Sequence, residues 1–593
     1  MNVDMEFDKW INYDGLTADL RKQLEQMDER EKDDAFYTEL EFGTAGMRGV
    51  MGPGTNRMNI YTIRKANVGF AKYLLENVEN ATSRGVVIAY DSRINSVEFA
   101  WESARVLASH GIKSYVFEGP RPTPELSFAV RHLNCAGGIV ITASHNPPAY
   151  NGYKIYDESG AQVLPDAGNI VIAGVKAVDD VFTIEVKTDR ELQAAGLIET
   201  VGSEIDAIYL ERIKELQLNS EIDKSDLAIV FSPLHGTAGE LTEELLLYCG
   251  YKRLFMVAEQ TDPDGNFPTV GYPNPEEAAA FEYAIRDGKL VDADIILATD
   301  PDADRMGVAV KVTVGECTTK SDSVFATSTL VLNDTSDYVL LTGNQTGAVL
   351  THYILSQRQA KGTLPAKGRF FDTIVSSELA AKIARSYGLE TISTLTGFKF
   401  IGEQARLMEG TEYEYVFGYE ESYGSLIGDF VRDKDAIQAV LILCEAAAYY
   451  KAQGKTLCDV LEDIYAEYGY FEEALENIAL SGKEGSAKIQ KLLTEFRNNP
   501  PQRIAELQVT AVEDYKKQAR IADGQTTKID LPSADVLKYI LADGSWFVLR
   551  PSGTEPKAKV YISVVTNSKD ETTKRVELIK ADVMALVDQI LSS

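Results

Sequence analysis

The segment Thr142-Ala143-Ser144-His145-Asn146-Pro147 sets a hydroxyl at a turn directly after an apolar run, Gly138-Ile139-Val140-Ile141. Far along the chain, Asp300-Pro301-Asp302-Ala303-Asp304-Arg305 gathers three carboxylates at alternate positions beside an arginine. A serine that carries a phosphoryl group needs a cation to neutralise it, and hard divalent cations take oxygen ligands. Together the two segments read as a phosphoserine and its magnesium site. Asp300, Asp302 and Asp304 cannot share one helical face, because a spacing of two sets neighbours about 200° apart. Pro301 excludes a regular central strand. What remains is an extended loop at a strand end, with the carboxylates converging. A twin, Thr261-Asp262-Pro263-Asp264, repeats the first four residues of the motif from Thr299 onward. It runs into Gly265-Asn266, without a third aspartate or an arginine, and reads as a plain turn.

Ser144-His145 does not read as a hydrolase pair. Adjacent residues seldom set an imidazole against the neighbouring hydroxyl, and the Gly-x-Ser-x-Gly elbow is missing. Gly418-Tyr419-Glu420-Glu421-Ser422 follows the expected strand Glu414-Tyr415-Val416-Phe417, and its carboxylate and hydroxyl acceptors suit the vicinal hydroxyls of a sugar. Arg550-Pro551-Ser552-Gly553-Thr554-Glu555-Pro556-Lys557 offers a guanidinium, hydroxyls, an ammonium and glycine-exposed amides, a cradle for a phosphate dianion. Gly43-Thr44-Ala45-Gly46-Met47-Arg48-Gly49 is a second small-residue loop, and Lys154 lies just downstream of Ser144; singly, both read as structural or solvated. HExxH, GxxxxGK[ST] and GxGxxG are all missing, which argues against zinc-protease, P-loop and dinucleotide chemistry. His235 reads as a packed loop histidine.

These loops need a scaffold. Apolar runs at 85–90, 114–117, 227–231, 294–298 and 338–341 alternate with helical patterns, as in parallel α/β units covered on both faces. Charge-rich stretches at 204–218 and 461–478 read as helical connectors. Asn499-Pro500-Pro501 punctuates the chain before a final α+β unit. That unit has strands at 545–549 and 560–565, a long polar loop between them and a helix from Asp570. The 593 residues are too many for one core and suggest about three to five domains. The net charge of −31 argues against nucleic acid or an anionic membrane as partner. An anionic substrate therefore needs a local island of Arg and Lys. Cys135, Cys249, Cys317, Cys444 and Cys458 are odd in number and form no CxxC, as free thiols of a reducing compartment do. No stretch approaches the roughly 20 apolar residues of a membrane span, so a cytoplasmic protein is expected.

In order and content these loops resemble the α-D-phosphohexomutase superfamily, specifically its phosphoglucomutases, from Gly43-Thr44-Ala45-Gly46 to Ser552-Gly553-Thr554-Glu555-Pro556. The resemblance implies an α/β protein of four domains around a central cleft, the first three sharing a mixed α/β sheet core and the last α+β. The expected spans are 1–208 with the phosphoserine loop, 209–322 with the metal loop, 323–466 with the sugar loop and 467–593 with the phosphate loop. It implies that phosphorylated Ser144, with Asp300, Asp302 and Asp304, holds one Mg²⁺ per chain. Arg305 and Arg48 would contact the transferring phosphoryl group, and Lys154 and His145 would assist proton transfer. Lys399 (in Thr396-Gly397-Phe398-Lys399), Glu420 and Ser422 would bind the substrate, while Arg550, Ser552, Gly553 and Thr554 would hold its non-reacting phosphate. The implied reaction interconverts glucose 1-phosphate and glucose 6-phosphate through glucose 1,6-bisphosphate, in a monomer or homodimer. Tyr419 stands where many relatives have a second glycine, a variant similar to the branch that includes phosphopentomutases and bisphosphate synthases. Mannose and pentose phosphates therefore stay open as substrates. A phosphoserine-dependent sugar phosphatase is the alternative from another class, although a hydrolase needs no second phosphate clamp.

Overall fold

The computed structural model describes residues 2–43, 45–312, 338–480, 482–552 and 557–592. The chain divides into two compact units, Met1–Ala309 with Phe398–Lys451, and Val310–Gly397 with Ala452–Ser593.

The first unit carries a six-stranded sheet in the order Gly46–Val50, Tyr150–Tyr156, Gly137–Ile141, Val86–Tyr90, Ser114–Phe117, Ile198–Val201. The last four run parallel and the first two are antiparallel additions. Val86–Tyr90 and Gly137–Ile141 are buried along their whole length, which explains why each reads as a continuous apolar run rather than an alternating one. Phe70, Leu74, Phe99 and Leu107 from flanking helices pack with Ile88, Ile139 and Tyr153 in one core. Each such side chain contributes about 1.5–3 kcal/mol by leaving water. The rigidity that results matters for function, because the Ser144 turn leaves the end of Gly137–Ile141. A smaller parallel trio sets Ala228–Ser232 between Arg253–Met256 and Ile295–Thr299, and the aspartate loop leaves the end of Ile295–Thr299. The hairpin Glu414–Glu420 with Gly424–Leu426 belongs to the same unit.

In the second unit Gly368–Thr373 pairs in parallel with Glu390–Thr394. An antiparallel sheet follows, in which Tyr470–Ala479 pairs with Lys557–Thr566 over ten residues. Helices Gly482–Asn498 and Lys569–Ser592 lay Leu492, Phe496, Ile579 and Val583 against Leu537, Phe547, Val560 and Ile562.

Three expectations are corrected. The connector at 461–478 is helical only to Tyr468. Gly469, at φ 99°, stops the helix, and Tyr470–Ala479 is an edge strand. Its glutamates have helix-forming composition, but ten residues of pairing override propensity, and charges are well suited to a sheet edge. The polar loop at 549–560 is shorter than expected, because strands Trp546–Pro551 and Lys557–Thr566 extend into it. The small-residue loop at 43–49 turns into strand at Gly46, whose φ of 143° leaves room for nothing larger: a Cβ would sit 1.9 Å from the Tyr153 carbonyl oxygen. Cys135, Cys444 and Cys458 are buried and Cys249 half-buried, none of the four in a disulfide, while Cys317 lies outside the described residues.

Candidate active site

Ser144 sits at φ 50°, in the left-handed region that non-glycine residues rarely occupy. Its amide donates to Thr142 Oγ1 at 2.8 Å, and its hydroxyl donates to Asp300 Oδ2 at 2.5 Å. The same Oγ lies 3.2 Å from His145 Nδ1. The two adjacent side chains therefore meet, contrary to expectation, because Ser144 is left-handed and not in ordinary backbone. Burial, with Arg305 and Arg48 adding repulsion, pushes the His145 imidazole down to about 2. It is neutral at physiological pH.

The aspartate loop closes on itself. Asp300 Oδ1 accepts from the amides of Asp304 (3.1 Å) and Arg305 (3.0 Å), and Ala303 takes the left-handed φ of 53° that the turn requires. All three carboxylates are buried, with ligand atoms within 4.8 Å of one another. Asp302 Oδ2 accepts from Thr123 Oγ1 at 2.9 Å and Lys154 Nζ at 2.7 Å; Asp304 Oδ2 lies 3.1 Å from Lys434 Nζ and 3.6 Å from Lys154 Nζ. Asp302 Oδ1 and Asp304 Oδ1 are buried without a hydrogen-bond partner. Arg305 Nε lies 3.7 Å from Asp304 Oδ1, whereas Asp302 Oδ1, an anionic oxygen at this depth, is costly unless a cation meets it. The donor set, three carboxylates beside a hydroxyl, fits a hard divalent ion.

Charge around the triad is finely divided. Burial and the two neighbouring carboxylates hold Asp300 well above the usual range, whereas Lys154 overcomes burial and holds Asp302 below it. Lys154 is half-buried, and Asp302 and Asp304 outweigh the burial that would lower its pKa and hold the ammonium above its ordinary range. Arg305 pairs through Nη1 with Glu276 Oε1, and Arg48, exposed, donates from Nη1 to Asn146 Oδ1 at 2.8 Å. Glu420 ends its strand fully inside; burial pushes its carboxyl upward against the pull of Lys434 and Arg305. Ser422 lies half-buried in the three-residue turn 421–423, with Tyr423 left-handed at φ 68°, a common build for short hairpins. Lys399 opens helix Lys399–Leu407, its ammonium 5.4 Å from the Phe400 ring centre.

Contacts thus link Ser144, His145, the three aspartates and Lys154 directly, and bring Arg48 against Asn146 of the serine loop. In the second unit, Arg550 Nη1 lies 3.4 Å from Tyr561 Oη, and the Ser552 amide donates to Lys557 O at 2.8 Å. Gly553, Thr554, Glu555 and Pro556, like Thr44, lie outside the described residues. The motif reading misses Thr123, Glu276 and Lys434. Lys434 has a signal, the alternation Arg432-Asp433-Lys434-Asp435, all four buried, but only the fold reveals the burial. Thr123 and Glu276 carry none.

This serine–aspartate centre on α/β sheets defines a class. Residues 39–181, 207–314 and 342–468 match alpha/beta/alpha domains I, II and III of phosphoglucomutase/phosphomannomutase, and residues 501–583 match its C-terminal domain. The chain belongs to that family, with mixed α/β sheets in its first three domains and a sheet-rich fourth. It is 38% identical over 577 residues to the phosphoglucomutase of Staphylococcus aureus strain MRSA252, covering 96% of this chain and 98% of that protein. It is 38% identical over 548 residues to the phosphoglucomutase of Staphylococcus epidermidis, covering 92% and 94%. The fold is shared with a putative phosphomannomutase from Thermus thermophilus (TM-score 0.66, 23% identity, 93% of this chain and 99% of that one). It is also shared with the open form of parafusin from Paramecium (TM-score 0.63, 18% identity, 94% and 96%). Among the described residues no helix is long and apolar enough to cross a membrane.

Proposed function

We propose that the protein is an isomerase that interconverts glucose 1-phosphate and glucose 6-phosphate, with Ser144 carrying the phosphoryl group and glucose 1,6-bisphosphate as intermediate. The observation that carries this reading is the Ser144 hydroxyl 2.5 Å from Asp300 in a buried carboxylate triad. The 38% identity to phosphoglucomutases over nearly the whole chain favours glucose as the sugar. Asp300, Asp302 and Asp304, with the phosphoryl group on Ser144, would hold one Mg²⁺, which supplies charge neutralisation to the phosphoryl oxygens.

The chain's own groups then divide the work. As the sugar hydroxyl oxygen bonds to phosphorus, the bond from phosphorus to Ser144 Oγ breaks. The proton given up by the attacking hydroxyl ends on the departing Oγ, and Lys154 and His145, whose Nδ1 lies 3.2 Å from that Oγ, assist the transfer; the return step runs the same path backwards. Arg305 exchanges Glu276 for the transferring group and Arg48 flanks it. Lys399, Glu420 and Ser422 orient the sugar, and Arg550, Ser552, Gly553 and Thr554 hold the idle phosphate. Tyr419, the departure from many relatives, is 1% exposed and stacks on Phe417 at 6.3 Å, so it faces the core and leaves the sugar side of its strand to Glu420. The same reading sets domain boundaries near residues 208, 322 and 466, and a monomer or homodimer in the cytoplasm.

The test is a coupled assay of Ser144→Ala with free phosphate measured in parallel. A loss of at least about 10³-fold is expected, as for removal of a covalent nucleophile. Near-normal turnover would remove Ser144 from the mechanism. Phosphate released by the wild-type protein at the turnover rate, without isomer, would make it a phosphatase.

A further inference from the structure

The 2.5 Å contact between Ser144 and Asp300 spans two separately built sheets, since Ser144 leaves the first and Asp300 the second. Something must hold the two loops in register. Arg93 lies between the serine loop and Phe267 of the second domain, its side chain fully shielded from solvent. Nη2 donates to the carbonyl oxygens of Ser144 and Asn146, both at 2.5 Å, and Nη1 donates to those of Pro147 and Tyr150, both at 3.0 Å. Nε lies 3.3 Å from Asp91 Oδ2, and the other Asp91 oxygen is tied to the Arg93 amide and to Ser96 Oγ. One guanidinium therefore gathers four carbonyls of residues 144–150, the segment that holds Ser144 in its left-handed backbone.

On its other side Arg93 meets the second sheet's territory. Its guanidinium carbon lies 5.0 Å from the ring centre of Phe267, which is 2% exposed and left-handed at φ 46°. Gly265, directly after the twin Thr-Asp-Pro-Asp that reads as a plain turn, packs on the backbone of residues 92–94. A Cβ there would stand 2.4 Å from the Ile94 amide nitrogen and 2.7 Å from the Ser92 carbonyl oxygen. The turn in turn hangs from the second sheet, since the Asp264 amide donates to His235 O and the Thr237 amide to Pro301 O.

We propose that Arg93 is the positioning residue that registers the Ser144 loop against the aspartate loop, gripping the first through four carbonyls and seated on the second domain through Phe267 and Gly265. Lysine cannot replace it: an ammonium has three donors and no plane to lie on an aromatic ring, whereas a guanidinium has five donors in a fixed fork. The role rests on the proposed phosphoryl transfer from Ser144. Such a residue touches neither sugar nor phosphate, so its loss should slow transfer and spare substrate binding.

The experiment measures kcat and KM for glucose 1-phosphate, with thermal midpoints, in Arg93→Lys and Phe267→Leu, beside Ser144→Ala. Arg93→Lys is expected to lower kcat about 100-fold, the scale for a reacting atom displaced by about 1 Å, with KM within about threefold. Phe267→Leu, which leaves every bond to the serine loop in place, should lower kcat about fivefold with KM unchanged. An Arg93→Lys protein that folds and keeps kcat within threefold, or in which KM rises as much as kcat falls, overturns the proposal. If Arg93→Lys does not fold, Phe267→Leu decides: unchanged kcat overturns the proposal and the kcat-only loss supports it. Activity retained in Ser144→Ala would instead bring down the phosphoserine reading, which keeps the two failures apart.

Discussion

Residues 299–305 and residues 261–266 begin with the same Thr-Asp-Pro-Asp and become different chemistry. In the first, the aspartates leave a fully buried strand, converge within 4.8 Å and face Lys154 and Lys434. In the second, Asp262 points into solvent, and half-buried Asp264 spends its side chain on the Asn266 amide at 2.9 Å. Even the proton affinities separate: burial holds Asp300 high, while the Asn266 amide draws Asp264 low. What fits a carboxylate to hold a metal ion here is not its own segment but the low-dielectric floor and the cations that other segments bring. The twin loop keeps a use through Gly265 and Phe267, which owe nothing to the shared tetrapeptide.

That contrast can be broken first where it is strongest. Asp302→Asn is expected to cut turnover by about 10²–10³-fold and to weaken Mg²⁺ binding, because a fixed anionic ligand is lost at the centre of charge transfer; its mirror, Asp262→Asn, should stay within twofold. Equal effects in a steady-state assay titrated with Mg²⁺ would erase the distinction.

Next comes the cation that supports the triad. Lys434→Met leaves Asp304 without its 3.1 Å partner, and breaking a buried pair costs about 3–5 kcal/mol, so a lower thermal midpoint in metal-free protein is expected. Added Mg²⁺ should recover part of the loss, since it supplies charge to the same carboxylates. An unchanged midpoint would mean that Asp304 is satisfied otherwise.

A subtler consequence is pH-dependent. Without a cation, Asp300 keeps its proton above the usual carboxylate range, so proton and cation compete for it. Affinity for Mg²⁺ should rise with pH, and calorimetry in buffers of different ionisation enthalpy should count protons released on binding, fewer as the pH rises. No release at the lower pH would show that Asp300 is already ionised. The smallest effect belongs to the twin: Asp264→Ala removes two exposed turn bonds from Asn266, each worth about 1 kcal/mol, and should leave kcat within twofold.

Much of the site was legible because loop chemistry is local. Ser144 after an apolar run, three alternating aspartates after another, and Glu420 at a strand end all needed only neighbours in sequence to be recognised. The buried parallel strands were legible for the same reason, since a strand covered on both faces must be apolar throughout. The failures share the opposite cause. Residues 470–479 look helical by composition and become an edge strand because a distant strand, Lys557–Thr566, pairs with them.

By itself, the sequence determined which residues are candidates for phosphoryl chemistry and the strands from whose ends they hang, because residue type and hydrophobic period are properties of short segments. The tertiary structure alone decided which carboxylates lose water, that Ser144 Oγ meets His145 Nδ1, and that Thr123, Lys434 and Arg93 stand against the two loops. Burial, left-handed backbone and charge pairing between segments far apart in the chain arise only when separate sheets pack, and no local pattern encodes them.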